Sequence, residues 1–598
     1  MESDRPSLIQ DHSIVVLPFV SHSSDIDNDY FSDGMTEEII NALSRDEALK
    51  VIARTSAFAY KGKQVDVRQI GRQLAVATLL EGSVQRVQDR VRITARLVET
   101  RGGTQLWTKN FDRELTDIFA LQDEVSQLIA DQIREHFGHF SMADSIRMVP
   151  TRYIDAYEWY LKGSFHFKRK DFDDIQLAKQ YFEAAIAQDS QYAEAYAYLA
   201  ETYLHLAGFG VMQTKEAHDL ARASAERSID IQPKTARGHK VLAYIYLFYD
   251  WDWAAAQKAY QHALECGLTQ ENEFITYYYT FLEGDFTKAI SIAQQSVERD
   301  PLHAISHWKL GLCYYFAAQF GEAVRTFKHA QLLDHSFAEA YRWQGLALGK
   351  LGQFDKALAN IDKAHRLMDG QGPAAFNRLQ IQALMGDRRA VLQAVEKTNY
   401  LDPCDPAELY TQLDMHEQAL DFLEQGLSQR SVMMVSLKHY WMWDPIRSHP
   451  RFQTICKQMY FDRVVKIKEP ETTANQAKRA LMDDRESERY LAELKNYIKE
   501  EVYLDPELSL RSLAGQMKLH PNKLSWLINE TAGQNFKTYV NSYRLATFKQ
   551  KAVDPANSHL TLLGLAYESG FNSKTVFNNF FKKNEGQTPR AWLKSQIT

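Results

Sequence analysis

The sequence predicts a multidomain chain in three folded parts: an α/β domain at the N-terminus, an all-α solenoid of helical repeats, and an all-α C-terminal domain with two helix-turn-helix units. Val91, Ile93, Ala95 and Leu97 alternate with Arg92, Thr94 and Arg96, the period of a half-buried strand. Ala289, Ala323 and Ala357 recur every 34 residues, the period of paired helices. Near the end, LAGQMKLHPNKLSWLINETAG is echoed by LAYESGFNSKTVFNNFFKKNEG. Leu513 and Ala514 match Leu565 and Ala566 at an offset of 52, and Gly533 matches Gly586 at 53.

The 598 residues suit several domains, and a composition of 45% hydrophobic and 25% charged residues is that of ordinary globular protein. No stretch is apolar enough to span a bilayer, and MESDRPSLIQDHS has no basic region followed by an apolar one, so a cytoplasmic protein is expected. Cys266, Cys313, Cys404 and Cys456 are scattered without a CxxC pair, which argues against a zinc site or a disulfide framework and reads as buried thiols. The charge is uneven. From Ser509 onward twelve basic residues stand against four acidic ones, a net +8 that leaves −15 on the rest of a chain whose total is −7. Such asymmetry points to a polyanion as the partner of the C-terminal part.

In the N-terminal part, IVVLPF reads as a buried strand and GMTEEIINALSR as a helix with Ile39, Ile40 and Leu43 on one face. Strand and helix signals then alternate to a closing helix, IFALQDEVSQLIADQI. IVVLPF, YFSDGMTEEIINALSR, VIARTSAFAYKGK, DVRQIGRQL, LLEGSV, RVRITARLVE and DIFALQDEV resemble the TolB-like domain of bacterial regulators that carry tetratricopeptide repeats, including some class III adenylate cyclases. Gly34, placed before a helix, reads as a structural turn, because no Gly-rich phosphate loop or Walker lysine accompanies it. His136 and His139 have the wrong spacing for a helical metal pair and read as loop residues.

Within the repeats, Gly311 and Gly345 keep the 34-residue spacing, as do Ala330 and Ala364. Small residues at fixed places let two helices pack closely, the mark of tetratricopeptide repeats. Six to eight units are expected, the first around Ala178, Phe182 and Ala185, with irregular ones at GFGVMQTKEAHDL and near WMWDPIRSHPRF. The aromatic runs FITYYYTF and LAYIYLFYDWDW admit two readings, a ligand groove or packing between repeats, of which packing is the simpler.

In the second C-terminal unit, Gly570 ends a helix, Phe571 fills the angle, and Ser573 or Asn572 can cap the next helix. Periodicity places Val576, Phe577, Phe580 and Phe581 on its buried side and Thr575, Asn578, Asn579 and Lys582 on the other. ELSLRSLAGQMKLHPNKLSWLINETAG, NSYRLATFKQ and HLTLLGLAYESGFNSKTVFNNFFKKNEGQTP closely resemble the DNA-binding domain of AraC/XylS-family transcription regulators. The resemblance implies DNA contacts from Asn522, Lys523, Trp526 and Asn529 in the first unit. It implies Ser573, Lys574, Thr575, Asn578, Asn579, Lys582 and Lys583 in the second, with Arg544 on the linking helix. Chemistry assigns Asn578 to adenine and Lys582, Lys583 and Arg544 to phosphates; Glu530 would be repelled by phosphate or accept from a cytosine amine.

The expected boundaries are a flexible tail over 1–12, a TolB-like α/β domain over 13–140, the solenoid over 151–461, a linker over 462–485 and the DNA-binding domain over 486–598. The expected function is sequence-specific regulation of transcription, with the first two domains sensing a signal or binding a partner. The alternative is an interaction scaffold that uses its basic tail only to localise on DNA. Double-stranded DNA and a protein or peptide on the repeats are the expected partners; RNA polymerase contact and a homodimer are left open. No enzyme, cofactor or metal is expected, since HExxH, GxSxG and P-loop patterns are missing.

Overall fold

The computed structural model describes residues 10–21, 26–44, 49–87, 90–114, 128, 151, 153–169, 172–208, 212–268, 273–368, 373–395, 397–398, 400, 402–464, 482–557 and 559–597. The closing helix expected around residues 118–133, apart from Leu128, and the histidines 136 and 139 lie outside them.

Strands β1 (Gln10–Val16), β2 (Val20–Ser21), β3 (Lys50–Val51), β4 (Val76–Val87), β5 (Arg90–Glu99) and β6 (Thr104–Glu114) form one sheet in the order β3-β1-β4-β5-β6, with β2 also on β4. β1 runs parallel to β3 and β4, while β4, β5 and β6 form an antiparallel meander. β1 starts inside the stretch expected to be a tail, because Gln10 already pairs with Val76. Along β5 the alternation holds: Val91, Ile93, Ala95 and Leu97 are buried, and Arg90 and Arg92 reach the carboxylate of Asp112 across the outer face.

Gly34 is not a turn before a helix. It lies inside the helix Ile26–Leu43, where a Cβ would fall 2.6 Å from Leu161 of the first repeat helix. That missing side chain seats the sheet domain on the solenoid, beside a salt bridge between Lys168 and Glu37. A second seam is polar: the Ser56 amide donates to Asp300 (2.9 Å) and the Ala53 amide to the Arg299 carbonyl (2.8 Å).

Eight antiparallel helix pairs make the solenoid among the described residues, from Ile154–Arg169 with Phe172–Gln188 to Cys404–Gln412 with His416–Gln429. The 34-residue period has a direct steric cause. A Cβ on Gly311 would meet the Phe327 ring at 2.5 Å, and one on Gly345 would meet Ile361 at 2.7 Å. The first pair repeats the device with Gly163 against Phe182, and Ala178 and Ala185 are buried beside it. Cys313 and Cys404 are buried, whereas Cys266 and Cys456 are half-exposed.

The aromatic runs are packing. Tyr246–Asp250 and Tyr278–Glu283 widen into π turns, closed by left-handed Trp251 and Gly284, and Phe274, Tyr278 and Tyr279 are buried. What covers this region is the chain itself. After the last helix pair, residues 430–461 leave the repeat pattern as 3₁₀ turns and the helix Pro450–Gln458; the turns lie against Tyr246–Asp250, Tyr278–Glu283 and the helix Cys404–Gln412, and Pro450–Gln458 lies against the helix His416–Gln429. Arg430 donates to the carbonyls of Tyr249 and Asp250, Lys438 to that of Leu282, and Trp441 to that of Tyr315. The indole of Trp253 donates to the carbonyls of Met459 and Tyr460 and stacks on Phe461 at 5.4 Å.

Under this segment two carboxyl groups face inward from the helix Cys404–Gln412. Burial, reinforced by neighbouring carboxylates, pushes Asp405 up to about 7 and Glu408 up to about 8. Arg342 opposes both rises and Lys350 opposes that of Glu408; Asp402 and Glu339 face Asp405. Carboxyls held above their ordinary value bind protons more tightly folded than unfolded. Their contribution is therefore complete in acid and drains as pH rises toward about 8. Glu408→Gln, which fixes the neutral form, is expected to flatten the solenoid's stability between pH 6 and pH 8.5. At the upper end it should add on the order of 2 kcal/mol. Urea titrations at both pH values check this, and parallel losses in variant and wild type would contradict it.

Candidate nucleic-acid interface

Two small cores, joined by one helix, build the C-terminal domain. The first gathers Leu494, Leu510, Leu513, Leu524, Ile528, Phe536 and Val540; the second gathers Leu545, Phe548, Leu565, Phe571, Phe577, Phe581 and Trp592. The linking helix Phe536–Val553 supplies its first half to one core and its second half to the other, so the two units sit on a common rod.

Each unit is a helix, a turn and a second helix in recognition position. Leu510–Gln516 is followed by Pro521–Ala532, and Leu562–Glu568 by Lys574–Glu585. The first helices are offset by 52 residues and the recognition helices by 53, so the slip lies in the turn. Left-handed Lys518 (φ 50°) serves the shorter turn and Gly570 (φ 92°) the longer. A Cβ on Gly570 would come within 2.5 Å of the Tyr503 carbonyl, which is why the longer turn needs glycine. Phe571 is buried against Phe577, with ring centres 5.1 Å apart.

In the second unit Lys574, Asn579, Lys582 and Lys583 are exposed, Asn578 is half-buried, and Thr575 holds the second position of the helix. The Ser573 hydroxyl caps the helix by accepting from the Val576 amide. Val576, expected among the phenylalanines, is instead 44% exposed. Phe577 and Phe581, one turn apart, fix the buried face, and residue 576 falls about 100° away on its solvent edge.

The first unit differs. Asn522 is buried, Trp526 packs half-buried on the first core, and Asn529 is half-buried. The Lys523 ammonium lies 2.8 Å from the carboxylate of Glu486, on the helix Asp484–Lys499 that precedes the unit. Glu530, fully on the surface, occupies the place that Lys583 holds in the second unit. The second recognition helix therefore carries the stronger positive field. No sequence signal placed Glu486 beside Lys523, because the two are 37 residues apart.

Arg544 is a correction. Expected on phosphate, its side chain is buried: Nε donates to the Tyr503 carbonyl and Nη2 to the Asp505 carbonyl, both at 2.7 Å, and Nη1 to Asn541 at 3.3 Å. Burial lowers its pKa from the ordinary arginine value, opposed by Asp505.

Comparison with known families agrees with this geometry. Residues 513–595 match the family model of a helix-turn-helix domain, which is of the AraC type, and residues 10–128 match the second domain of HilA/YgeH-like transcriptional regulators. The chain is thus a multidomain protein with transcription-regulator domains at both ends and a tetratricopeptide-like solenoid between them. The TolB-like likeness of the sheet domain stays an expectation. Among curated relatives, a protein of Rhizobium meliloti (strain 1021) bearing an adenylate cyclase name is 31% identical over 318 residues, 53% of this chain and 43% of that protein. The HTH-type transcriptional regulator YtdP of Bacillus subtilis (strain 168) is 28% identical over 140 residues, 22% of this chain and 18% of YtdP. The chain therefore spans less than half of either relative. Among solved structures, YrrB, described as a TPR protein with an unusual peptide-binding site, aligns at 20% identity with a TM-score of 0.22, over 31% of this chain and 91% of its own. No helix among the described residues is long and apolar enough to cross a membrane.

Proposed function

We propose that the chain is a cytoplasmic, sequence-specific DNA-binding regulator of transcription without catalysis of its own. The sheet domain and solenoid sense a signal or hold a protein partner. The observation that carries this reading is the helix Lys574–Glu585: capped, anchored by Phe577 and Phe581, and presenting Lys574, Asn579, Lys582 and Lys583 to solvent. Asn579 takes the base-reading role first expected of Asn578, since it lies on the exposed stripe. Lys582 and Lys583 hold phosphates. The first unit contributes less, with Lys523 engaged by Glu486 and Glu530 facing outward. RNA polymerase and a second copy of the chain are the further partners this function would use.

Selection of randomised duplexes on the full chain, at roughly physiological salt, tests the reading. A motif with two half-elements about one helical turn apart is expected. Lys582→Ala should weaken all sequences alike and reduce the salt slope by about 0.9, while Asn579→Ala should relax preference at one base pair by about 1 to 3 kcal/mol. Binding without any motif would favour a scaffold that only localises on DNA.

A further inference from the structure

We infer that Val576 reads the 5-methyl group of a thymine in the major groove, an inference that rests on the DNA-binding function proposed above. Three observations lead to it. Val576 is the third residue of the second recognition helix, in the first turn beyond the Ser573 cap, where recognition helices of this motif approach base edges. Its side chain is 44% exposed although Phe577, its neighbour in sequence, is 2% exposed, so the core does not use it. And exposed polar groups share its face: Asn579 lies one turn on and Lys583 two turns on, with the half-buried Phe580 between them and the core.

A branched apolar side chain left exposed beside Asn579 and Lys583 has little to gain from water. The major groove offers one apolar feature to such a group, the thymine methyl; every other marker on its floor is a hydrogen-bond donor or acceptor. The first unit sharpens the contrast. At the register offset of 53 the equivalent of Val576 is Lys523, whose ammonium is held by Glu486, so the two units do not read the same feature at this position. Asn579 and the lysines set the stripe against base edges and phosphates, and Val576 adds a preference for T·A at one pair.

The experiment uses the full chain and the consensus recovered by selection. Each thymine is replaced in turn by deoxyuridine, which lacks only the methyl group. Loss of one methyl contact should weaken the wild type by about threefold to tenfold at a single thymine of the half-element bound by the second unit. In Val576→Ala the same replacement should change affinity by less than about twofold, with the response at other thymines unaltered; Val576→Thr, which keeps one methyl, should fall between. Equal responses of wild type and Val576→Ala at every thymine, or no thymine at which the methyl matters, overturn the inference while leaving DNA reading intact. A selection that recovers no motif overturns both.

Discussion

Arg544→Ala is expected to destabilise the C-terminal domain by about 3 to 5 kcal/mol, with the loss spread over both helix-turn-helix units. The guanidinium joins three segments. Two of its donors satisfy the carbonyls of Tyr503 and Asp505 in the turn before the first unit, a third reaches Asn541 on the linking helix, and Gly570 of the second unit lies against its Nε. Alanine would leave the buried Tyr503 carbonyl without a donor, at about 1 to 3 kcal/mol, leave the Asp505 carbonyl with only the Leu508 amide, and open a cavity where the rod meets the turn. Lysine restores one donor but not the fork, so Arg544→Lys should recover only part of the loss. Hydrogen exchange on the full chain reads the effect: amides of residues 545–551 should lose protection in the alanine variant, while the sheet domain is unchanged. A residue that merely held phosphate would behave in the opposite way, with full protection and a salt slope lower by about 0.9. That outcome would mean the guanidinium swings out to DNA.

The contrast between Arg544 and Gly311 shows which parts of this protein were legible in its sequence. Gly311 recurs at Gly345 because each repeat solves the same steric problem against its own second helix, and a repeated local contact leaves a period. The two C-terminal units were visible for the same reason, as two copies of one pattern. Arg544 has no such signature: the linking helix serves a different core with each half, so its apolar face turns along its length and a polar residue on it cannot be assigned to a side. Periodicity misplaces Val576 because two adjacent apolar pairs, Val576–Phe577 and Phe580–Phe581, in a 12-residue helix fit two faces, and only the packing of Phe577 and Phe581 decides between them. Of segment 430–461 the sequence marks only the stretch near WMWDPIRSHPRF as an irregular repeat unit, since 3₁₀ turns carry no period and the carbonyls that hold them lie more than 100 residues away.

That segment sets the second large effect. Trp253→Ala is expected to cost the solenoid about 3 to 5 kcal/mol, the usual range for removing a buried tryptophan. It should also release residues 459–461 from the helix Trp253–Glu265. Trp253 is 1% exposed; its indole N–H is shared by the carbonyls of Met459 and Tyr460, and its ring lies nearly parallel to Phe461, with 5° between the planes. No other residue of its helix can replace both the bond and the stack. The remaining anchors lie earlier in the segment: Arg430 on the 249–250 carbonyls, Lys438 and His439 on Leu282, and Arg451 on Glu417, Asp421 and Glu424 of the helix His416–Gln429, so opening should begin at its C-terminal end and stop near Arg451. Limited proteolysis of the full chain would then cut the variant within 456–461 and spare 432–451. Cleavage at the same rate in both proteins would show that the segment is held by those earlier anchors alone. The release also bears on the partner. A partner that docks where residues 456–461 lie must displace them and should bind Trp253→Ala more tightly than wild type, whereas a partner of other surfaces should bind both alike.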